Sequence, residues 1–331
     1  MKKTLIIAEI GVNHNGSFVK AKKLIDAANK SGADIIKFQF FRAKNIATRN
    51  LELTKYQKKN TKYKNQFDML KKLELSEKKI INLTQYCKKN NIKVCISFFS
   101  HEDLDVIKKC KIDFLKIPSG ELNNTYLINK LSNFKKKMII STGMSNISEI
   151  SKTVKILKNK VKNKDIYLLQ CTSAYPAPFK DLNLKTIETL KKKFNLKIGF
   201  SDHSLGIEAS IAAVSIGAEM IEKHFTMNKR DVGPDHKASL DPKEFEKMVI
   251  AIRNIEQSLG KIKILTSSEK QNYNLVRKKI VAKTKIKKGD LLSIDKISIK
   301  RTNDINGMSA DKINLILNKI SKKNYEKDET I

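Results

Sequence analysis

The sequence of 331 residues has no tryptophan, only five prolines, and 34 acidic side chains against 67 basic ones. No apolar run approaches the roughly 18 residues that a membrane-spanning helix needs. Met1–Thr4 leads directly into the strand-like segment LIIAEI, without the pattern of a signal peptide. We therefore expect a cytoplasmic protein with no membrane partner. The 40% apolar content also excludes a largely disordered chain.

The four cysteines, Cys87, Cys95, Cys110 and Cys171, lie far apart and form no CxxC pair. Zinc and redox motifs use such close pairs, so the spacing does not favour a metal or redox role. Cys95 and Cys171 lie in apolar, strand-like runs, and we interpret them as buried thiols.

The net charge of +33 raises the question of a nucleic-acid partner. Only six of the basic residues are arginine, although proteins that read bases and phosphates usually also use the forked guanidinium. The lysines are spread along the chain on expected helix faces, for example Lys152, Lys155, Lys158 and Lys160. We predict that these are solvated positions, that no nucleic acid is bound, and that the charge balance favours a small anionic substrate.

Short apolar, β-branched runs recur along the chain, each followed by a polar stretch with helical periodicity. This pattern is typical of parallel strands covered by crossover helices. The predicted strands are Leu5–Ile10, Ile35–Phe40, Lys93–Phe98, Phe114–Pro118, Met138–Thr142, Ile166–Thr172, Lys197–Ser201 and Glu219–His224. Eight such units in about 260 residues predict an α/β protein built on a (β/α)8 TIM barrel.

The remaining segments complete the predicted organisation. Helices are predicted at Phe18–Lys30 and Ile147–Leu157, while the long polar connection 45–72 is typical of a lid or a substrate wall. We assign residues 1–262 to the barrel, 263–277 to a linker and 278–331 to a small β-rich domain. So small a domain has little core of its own, and we expect it to pack against the barrel or against a second subunit.

Two lysines lie inside otherwise apolar strands, Lys37 in IIKFQ and Lys116 in FLKIPSGE. A buried ammonium is costly unless an anion pairs with it, so we expect these lysines to bind a phosphate or carboxylate. The alternatives are internal salt bridges to Glu9 and Glu121, or a Schiff-base lysine of the kind that barrel aldolases use.

His203 and His224 end consecutive strands and should therefore be neighbours at the mouth of the barrel, where barrel active sites lie. Two imidazoles so placed either bind a divalent metal that polarises a carbonyl oxygen or act through hydrogen bonds and proton transfer. Position alone leaves both open. The residues thus predict a barrel enzyme that acts on an anionic, carbonyl-containing substrate.

Several segments resemble the signatures of the sialic acid synthase family. They are AEIGVNHNG (8–16), IKFQ (36–39), KIPSGE (116–121), ISTGM (140–144), CTSAYPAP (171–178), GFSDHSLG (199–206), IEKHFT (221–226) and GPDHKASL (233–240). Members of this family make nonulosonic acids from phosphoenolpyruvate and an N-acetylated mannosamine-type sugar. The C-terminal part also resembles the family's antifreeze-like (SAF) domain, and the resemblance implies a domain-swapped homodimer.

The resemblance implies a role for each candidate site residue. His203 and His224 would bind Mn²⁺, or alternatively Mg²⁺ or Co²⁺, with Glu9 beside the metal. Glu121 would be the base for an attacking water, and Lys116 would act with Lys37 to stabilise phosphate charge. Phosphoenolpyruvate would be held by Lys37, Ser97, Lys116, Ser119, Ser141, Ser173 and Ser201. The open-chain sugar would contact Gln39, Glu121, Tyr175 and Asp235.

Two departures from the family pattern concern the site. Ser97, in Ile96-Ser97-Phe98-Phe99, stands where the family usually has STPF, and the family's RPGNG is replaced by a longer stretch from Arg301 to Gly307. In the family that arginine reaches the partner's active site and contacts the sugar, a role that Arg301 would take. The motifs favour N,N′-diacetyllegionaminate as product, with N-acetylneuraminate as the alternative.

Overall fold

Eight parallel strands close into a barrel in the first of the two units into which the chain divides after Gly260. The computed structural model describes residues 3–331. The strands follow chain order around the barrel, and β1 pairs with β8 to close it. They are β1 Leu5–Gly11, β2 Ile35–Phe40, β3 Lys93–Phe98, β4 Phe114–Ile117, β5 Lys137–Ser141, β6 Ile166–Cys171, β7 Lys197–Asp202 and β8 Met220–His224. The predicted (β/α)8 barrel is confirmed.

The helices of this unit follow the strands in the order expected of such a barrel. They are α1 Phe18–Lys30, α2 Ala43–Ile46, α3 Lys55–Asn60, α4 Gln66–Leu73, α5 Glu77–Lys89, α6 Val106–Lys109, α7 Thr125–Ser132, α8 Ile147–Lys158, α9 Thr186–Phe194, α10 Glu208–Ser215 and α11 Pro242–Ser258. Asn146 caps α8 by accepting from the backbone N–H of Glu149, which satisfies a donor that the first turn leaves free. Lys152, Lys155 and Lys158 on α8 are exposed, as predicted.

Alternate residues of each strand point into the barrel and form two successive layers. The lower layer is apolar and includes Ile7, Ile35, Phe114, Ile139 and Met220. Two residues further along the same strands, the layer becomes polar, with Glu9, Lys37, Lys116, Ser141 and Glu222, all buried. The apolar layer fills the N-terminal end of the barrel, so water cannot reach the charged side chains above it from that end.

The connection between β2 and β3 departs from the simple barrel. It contains α2, α3 and α4 in addition to α5. A separate apolar cluster forms here, in which Met69 and Leu73 of α4 pack with Val12, Phe41 and Leu53. This cluster fixes the inserted helices beside the C-terminal ends of β1 and β2.

The second unit, residues 261–331, contains α12 Ser267–Val276 and an antiparallel pair, β9 Lys279–Ala282 and β10 Ile297–Lys300. Further bridges, such as Leu291 with Ile320, lie outside these strands. A small core of its own gathers Ile280, Ala282, Ile286, Leu292, Ile297 and Tyr325. The segment predicted as a linker, 263–277, is mostly helical. No helix within residues 3–331 has the length and apolarity to cross a membrane.

Candidate active site

A cavity of about 350 Å³ lies at the C-terminal ends of the barrel strands. Most of the predicted site residues line it, because the strand register places them at the same level of the barrel. In the register, Glu9 on β1 is the neighbour of Lys37 on β2 and of His224 on β8. The predicted residues that line the cavity are Glu9, Lys37, Gln39, Ser97, Lys116, Ser119, Ser141, Ser173, Tyr175, Ser201, His203, His224 and Asp235. The barrel thus brings together side chains that are up to 226 positions apart (235 − 9) in the sequence.

Glu222 joins the two buried lysines at the floor of this cavity. Its carboxylate lies 2.9 Å from Lys37 Nζ and 2.8 Å from Lys116 Nζ, and it accepts a hydrogen bond of 3.0 Å from Ser201 Oγ. Lys116 also donates to Ser141 Oγ at 2.6 Å. Lys37 Nζ also lies 3.3 Å from Glu9 Oε2, which is one of the internal salt bridges considered above. Glu222 is the carboxylate that both lysines share, and each ammonium group keeps one of its three donors for an anion from solution.

The electrostatics of this cluster favour the charged forms of Glu222 and Lys37, whereas burial lowers the pKa of Lys116 below its usual value. Burial opposes ionisation of Glu222, but Lys116 and Lys37 outweigh it and hold the pKa of Glu222 below its usual value. Burial likewise acts to lower the pKa of Lys37, while Glu222 and Glu9 raise it above the usual value. For Glu9 burial prevails over the attraction of Lys37 and raises its pKa from 4.5 to about 7.

Ser97 offers a further donor to this space. Its hydroxyl is buried and has no hydrogen-bond partner within the described chain, although its strand neighbour in the register is Lys116. A buried hydroxyl without a partner is uncommon in native proteins. Together with the two ammonium groups, it indicates a cradle for an anion that arrives from solution.

The two histidines lie near each other in the lining of the cavity, with ring centroids 5.4 Å apart. His203 Nδ1 lies 2.9 Å from the Thr172 carbonyl oxygen, so it carries a proton, and in the neutral ring Nε2 has a free lone pair. Burial acts to lower the pKa of His203, but the Cys171 thiol outweighs burial and raises it. His224 Nδ1 is buried without a hydrogen-bond partner and lies 3.8 Å from Asp235 Oδ2. Burial holds the pKa of His224 well below its usual value, so this ring is neutral near pH 7.

These donors fit a divalent metal of intermediate hardness. Neutral imidazole nitrogens suit such ions, and Glu9, whose Oε2 lies 3.3 Å from Lys37 Nζ, is the neighbour of His224 in the strand register. No cluster of three or more His, Cys, Asp or Glu side chains in residues 3–331 forms a complete metal site. The histidines would therefore supply two positions and leave the others to water, substrate or a carboxylate that moves.

An apolar wall, defined as Val12, Tyr56, Met69, Leu70, Leu73 and Phe99, forms another side of the cavity. Four of its members come from the long connection after β2, so that connection does form a wall. Tyr56 stacks on Tyr175 with ring centroids 5.1 Å apart. Tyr175 in turn lies 4.2 Å from the ring of His203. The wall is thus continuous, through two tyrosines, with the histidine side.

Two predicted site residues do not line the cavity. Glu121 is half-buried on the 3-10 turn Ser119–Glu121, and its Oε2 accepts a hydrogen bond of 2.9 Å from Asn124. Burial raises the pKa of this carboxyl above its usual value. Arg301 directly follows β10 in the second unit and is exposed.

Sequence reasoning gave no role to two residues that the cavity contains. Glu222 is two residues from both Met220 and His224 on β8, so its side chain points into the barrel as theirs do. The alternation of the strand could therefore have identified it from the sequence. Cys171 Sγ lies 3.8 Å from His203 Nδ1 and 3.5 Å from Ser119 Oγ. Burial acts to raise its pKa, but His203 outweighs burial and lowers the pKa of Cys171 to about 7. The prediction that this thiol is buried is confirmed.

Known proteins of similar sequence and structure place this site in a family. The chain is 46% identical to the N,N′-diacetyllegionaminic acid synthase of Campylobacter jejuni, covering 100% of this chain and 99% of that protein. It is 40% identical to the enzyme of the same name from Legionella pneumophila, over 89% of this chain and 85% of the other.

Among solved structures, the N-acetylneuraminic acid synthetase of Leptospira borgpetersenii matches with a TM-score of 0.73 and 34% identity. The match covers 82% of this chain and 90% of that one. The model of the NeuB family matches residues 24–264. These matches confirm the resemblance that the motifs carried, and the chain belongs to the NeuB family.

Proposed function

We propose that this chain is a nonulosonic acid synthase. It would condense phosphoenolpyruvate with an N-acetylated mannosamine-type sugar and water to give a nonulosonic acid and inorganic phosphate. One observation carries the proposal: two buried lysines share the buried carboxylate of Glu222 beneath an open cavity, with the unpaired hydroxyl of Ser97 beside them. Such a floor favours an anionic ligand, and phosphoenolpyruvate combines a phosphate with a carboxylate.

The floor residues would bind both anionic groups of phosphoenolpyruvate. Lys37 and Lys116 would meet them with their free ammonium donors, because a charge-assisted hydrogen bond is about twice as strong as a neutral one. The serine hydroxyls at the other strand ends, Ser119, Ser141, Ser173 and Ser201, would complete the cradle. Binding would hold C3 of phosphoenolpyruvate on the side of the cavity that faces His203 and His224.

The sugar would react in its open-chain form. The π electrons between C2 and C3 of phosphoenolpyruvate form the new C–C bond to the aldehyde carbon, and the C=O π bond of the aldehyde breaks. The aldehyde oxygen takes up a proton and becomes a hydroxyl of the product, while C2 is left with cationic character. Water adds to C2, and its proton passes to a base, for which Glu121 is our candidate. Glu121 lies on the turn that begins at Ser119, which lines the cavity, so its side chain would have to leave Asn124 and turn inward to take this proton. The tetrahedral intermediate then collapses with cleavage of the C–O bond to phosphate, so that the former bridging oxygen leaves with phosphorus. Lys37 and Lys116 would stabilise the charge of the leaving group.

His203 and His224 would hold a divalent metal, for which Mn²⁺ is our first choice and Mg²⁺ or Co²⁺ the alternatives. When bound, such an ion supplies Lewis-acid polarisation of the sugar's carbonyl oxygen. The protein's own contribution is to keep both imidazoles in the required state: Thr172 fixes the proton of His203, and burial keeps His224 neutral. Glu9 would lie beside the ion.

The names of the Campylobacter and Legionella relatives support N,N′-diacetyllegionaminate as the product. The sugar would then be 2,4-diacetamido-2,4,6-trideoxymannose, held by Gln39, Tyr175 and Asp235, and N-acetylmannosamine would be the alternative. Such a reaction fits a cytoplasmic enzyme that makes precursors of surface glycans.

The resemblance also supports an antifreeze-like fold for residues 278–331 and a domain-swapped homodimer. In that dimer Arg301 of the partner subunit would contact the sugar. Mixing the Arg301→Ala variant with the His203→Ala variant tests this directly. Each variant alone should be inactive or nearly so, whereas heterodimers should regain activity at the one site that is intact. No regain of activity after subunit exchange would refute the shared site.

Phosphate release tests the proposed function. With Mn²⁺, phosphoenolpyruvate and 2,4-diacetamido-2,4,6-trideoxymannose, the purified protein should release phosphate in step with loss of the aldehyde. His203→Ala should abolish release, whereas His101→Ala, which alters an exposed histidine, should not. Full activity in excess EDTA would refute the metal's role. A pyruvate adduct trapped by borohydride on Lys37 or Lys116 would instead support a Schiff-base aldolase.

A further inference from the structure

We infer that the apolar wall selects the sugar. It favours an N-acylated 6-deoxy aldose, whose methyl groups replace hydroxyls, over an aldose with free hydroxyls at C4 and C6. The inference rests on the proposed function, because it concerns the second substrate of the same site. Most of the wall residues belong to the connection between β2 and β3, which takes no part in binding the anion or the metal in the proposed function.

The cavity has two chemically different sides. The floor offers two ammonium groups and several hydroxyls, and Lys37, Lys116 and Ser97 are all buried there. An anionic substrate takes this side, because no other part of the lining offers it comparable charge. The apolar wall is then left to the uncharged substrate, whose carbonyl end faces His203 and whose remaining carbons extend past Tyr175 toward Tyr56.

The Gln57 amide beside the wall already has partners. Gln57 is buried, its Oε1 accepts a 3.0 Å hydrogen bond from the backbone N–H of Thr54, and its Nε2 donates to the Tyr56 hydroxyl at 3.4 Å. On α4, the side chains that line the cavity are Met69, Leu70 and Leu73. A sugar hydroxyl placed against them would give up water and gain no hydrogen bond, which is unfavourable.

A methyl group in the same place has the opposite effect. It removes apolar surface of the sugar and of the wall from water, which is favourable by about 0.8 kcal/mol for each buried methylene equivalent. A 2,4-diacetamido-2,4,6-trideoxy sugar carries three methyl groups, at C6 and on two acetamido groups. N-acetylmannosamine carries one, and has hydroxyls at C4 and C6.

The wall is held in place from behind, so it cannot adapt easily to a hydroxyl. Met69 and Leu73 are buried in the cluster with Phe41 and Leu53. Phe99 packs edge-on against Phe41, with ring centroids 5.9 Å apart. Because these contacts fix the side chains, discrimination arises from the wall itself and persists when the sugar binds.

The experiment compares kcat/KM for the two sugars in the Mn²⁺-loaded enzyme at saturating phosphoenolpyruvate. Wild type should prefer the trideoxy sugar at least about tenfold, since one methyl group in an apolar pocket is worth about 10- to 200-fold. Leu70→Gln, at a half-buried position, should lower this preference about tenfold and leave the KM for phosphoenolpyruvate unchanged. Ile81→Gln, a half-buried aliphatic position on α5 outside the cavity, should leave the preference unchanged.

The ratio of the two kcat/KM values does not depend on the active fraction of a preparation, so partial unfolding of a variant does not affect it. Met69→Gln provides a second, similarly shaped substitution in the wall. Lowered preference in both wall variants but not in Ile81→Gln supports the inference. Unchanged preference in both wall variants, or a wild type that prefers N-acetylmannosamine, overturns it and leaves the proposed function standing. Absence of phosphate release with either sugar overturns both.

Discussion

The substitution Glu222→Gln tests the charge balance at the floor of the cavity. In the native protein the Glu222 carboxylate lies 2.9 Å from Lys37 Nζ and 2.8 Å from Lys116 Nζ. Glutamine keeps the shape of the side chain but has no charge. Its NH₂ group, moreover, must face one of the two ammonium groups, donor against donor. The variant therefore leaves two buried cations with only Glu9 as an acidic partner.

The expected cost is large. Removal of one partner from a buried ion pair typically destabilises a protein by about 3 to 5 kcal/mol, because a buried charge is left uncompensated. Since glutamine retains one acceptor oxygen, we expect the lower end, about 3 kcal/mol. For a barrel of this size each kcal/mol corresponds to roughly 2 to 4 °C, so the melting temperature should fall by about 6 to 12 °C.

Thermal and urea unfolding of the ligand-free protein at pH 7 measure this cost. Glu246→Gln, at an exposed position on α11, serves as the control and should change stability by less than about 0.5 kcal/mol. Added inorganic phosphate should stabilise Glu222→Gln more than wild type, because an anion that binds only the folded state stabilises it. A loss below about 1 kcal/mol, with no extra response to phosphate, would refute our view of the floor.

Three further substitutions address other parts of the site. Asp202→Asn breaks a fully buried ion pair with Lys223, whose charged atoms are 2.8 Å apart. This pair joins β7 and β8, at whose ends the two histidines lie. Urea unfolding should show a loss of about 3 kcal/mol in stability, and calorimetry should show weaker Mn²⁺ binding. Unaltered Mn²⁺ affinity would argue against this positioning role. Burial raises the pKa of Glu9 from 4.5 to about 7. Between pH 4.5 and 7 the Glu9 carboxyl is therefore mostly protonated in the folded state and mostly ionised in the unfolded state. The unfolding free energy of wild type relative to Glu9→Gln should therefore fall by up to about 3 kcal/mol as the pH rises from 4.5 to 7; a flat difference would contradict the shift. Ser97→Ala should raise the KM for phosphoenolpyruvate about 5- to 10-fold with stability changed by less than about 1 kcal/mol, and an unchanged KM would exclude Ser97 from the cradle.

The barrel and most of the cavity were predictable because they follow from local patterns. Apolar, β-branched runs of five to seven residues predicted the strands, and the end of each strand marked the mouth of the barrel. The positions of Lys37 and Lys116 inside apolar strands already implied a buried anion. Alternation along β8 also placed Glu222 on the same face as His224.

The partners of these residues could not be predicted from the chain alone. Lys116 on β4 meets Glu222 on β8 across the interior of the barrel, and such a contact depends on the closure of the whole sheet rather than on neighbouring strands. The sequence predicted a lid or a substrate wall in the connection after β2, but not that this wall is apolar, for a related reason. Met69 and Leu73 lie in a connection rich in Lys and Asn, and they become a surface only when α4 packs against Phe41 and Val12.

Isotope tracing of phosphoenolpyruvate tests the central claim most directly. The protein would be incubated with Mn²⁺, 2,4-diacetamido-2,4,6-trideoxymannose and phosphoenolpyruvate labelled with ¹⁸O in the bridging C–O–P position, and the products would be analysed by mass spectrometry. The proposed reaction predicts a nonulosonic acid without the label and phosphate that carries it, because the C–O bond breaks. Label retained in the sugar acid, or release of pyruvate without any condensation product, would contradict it.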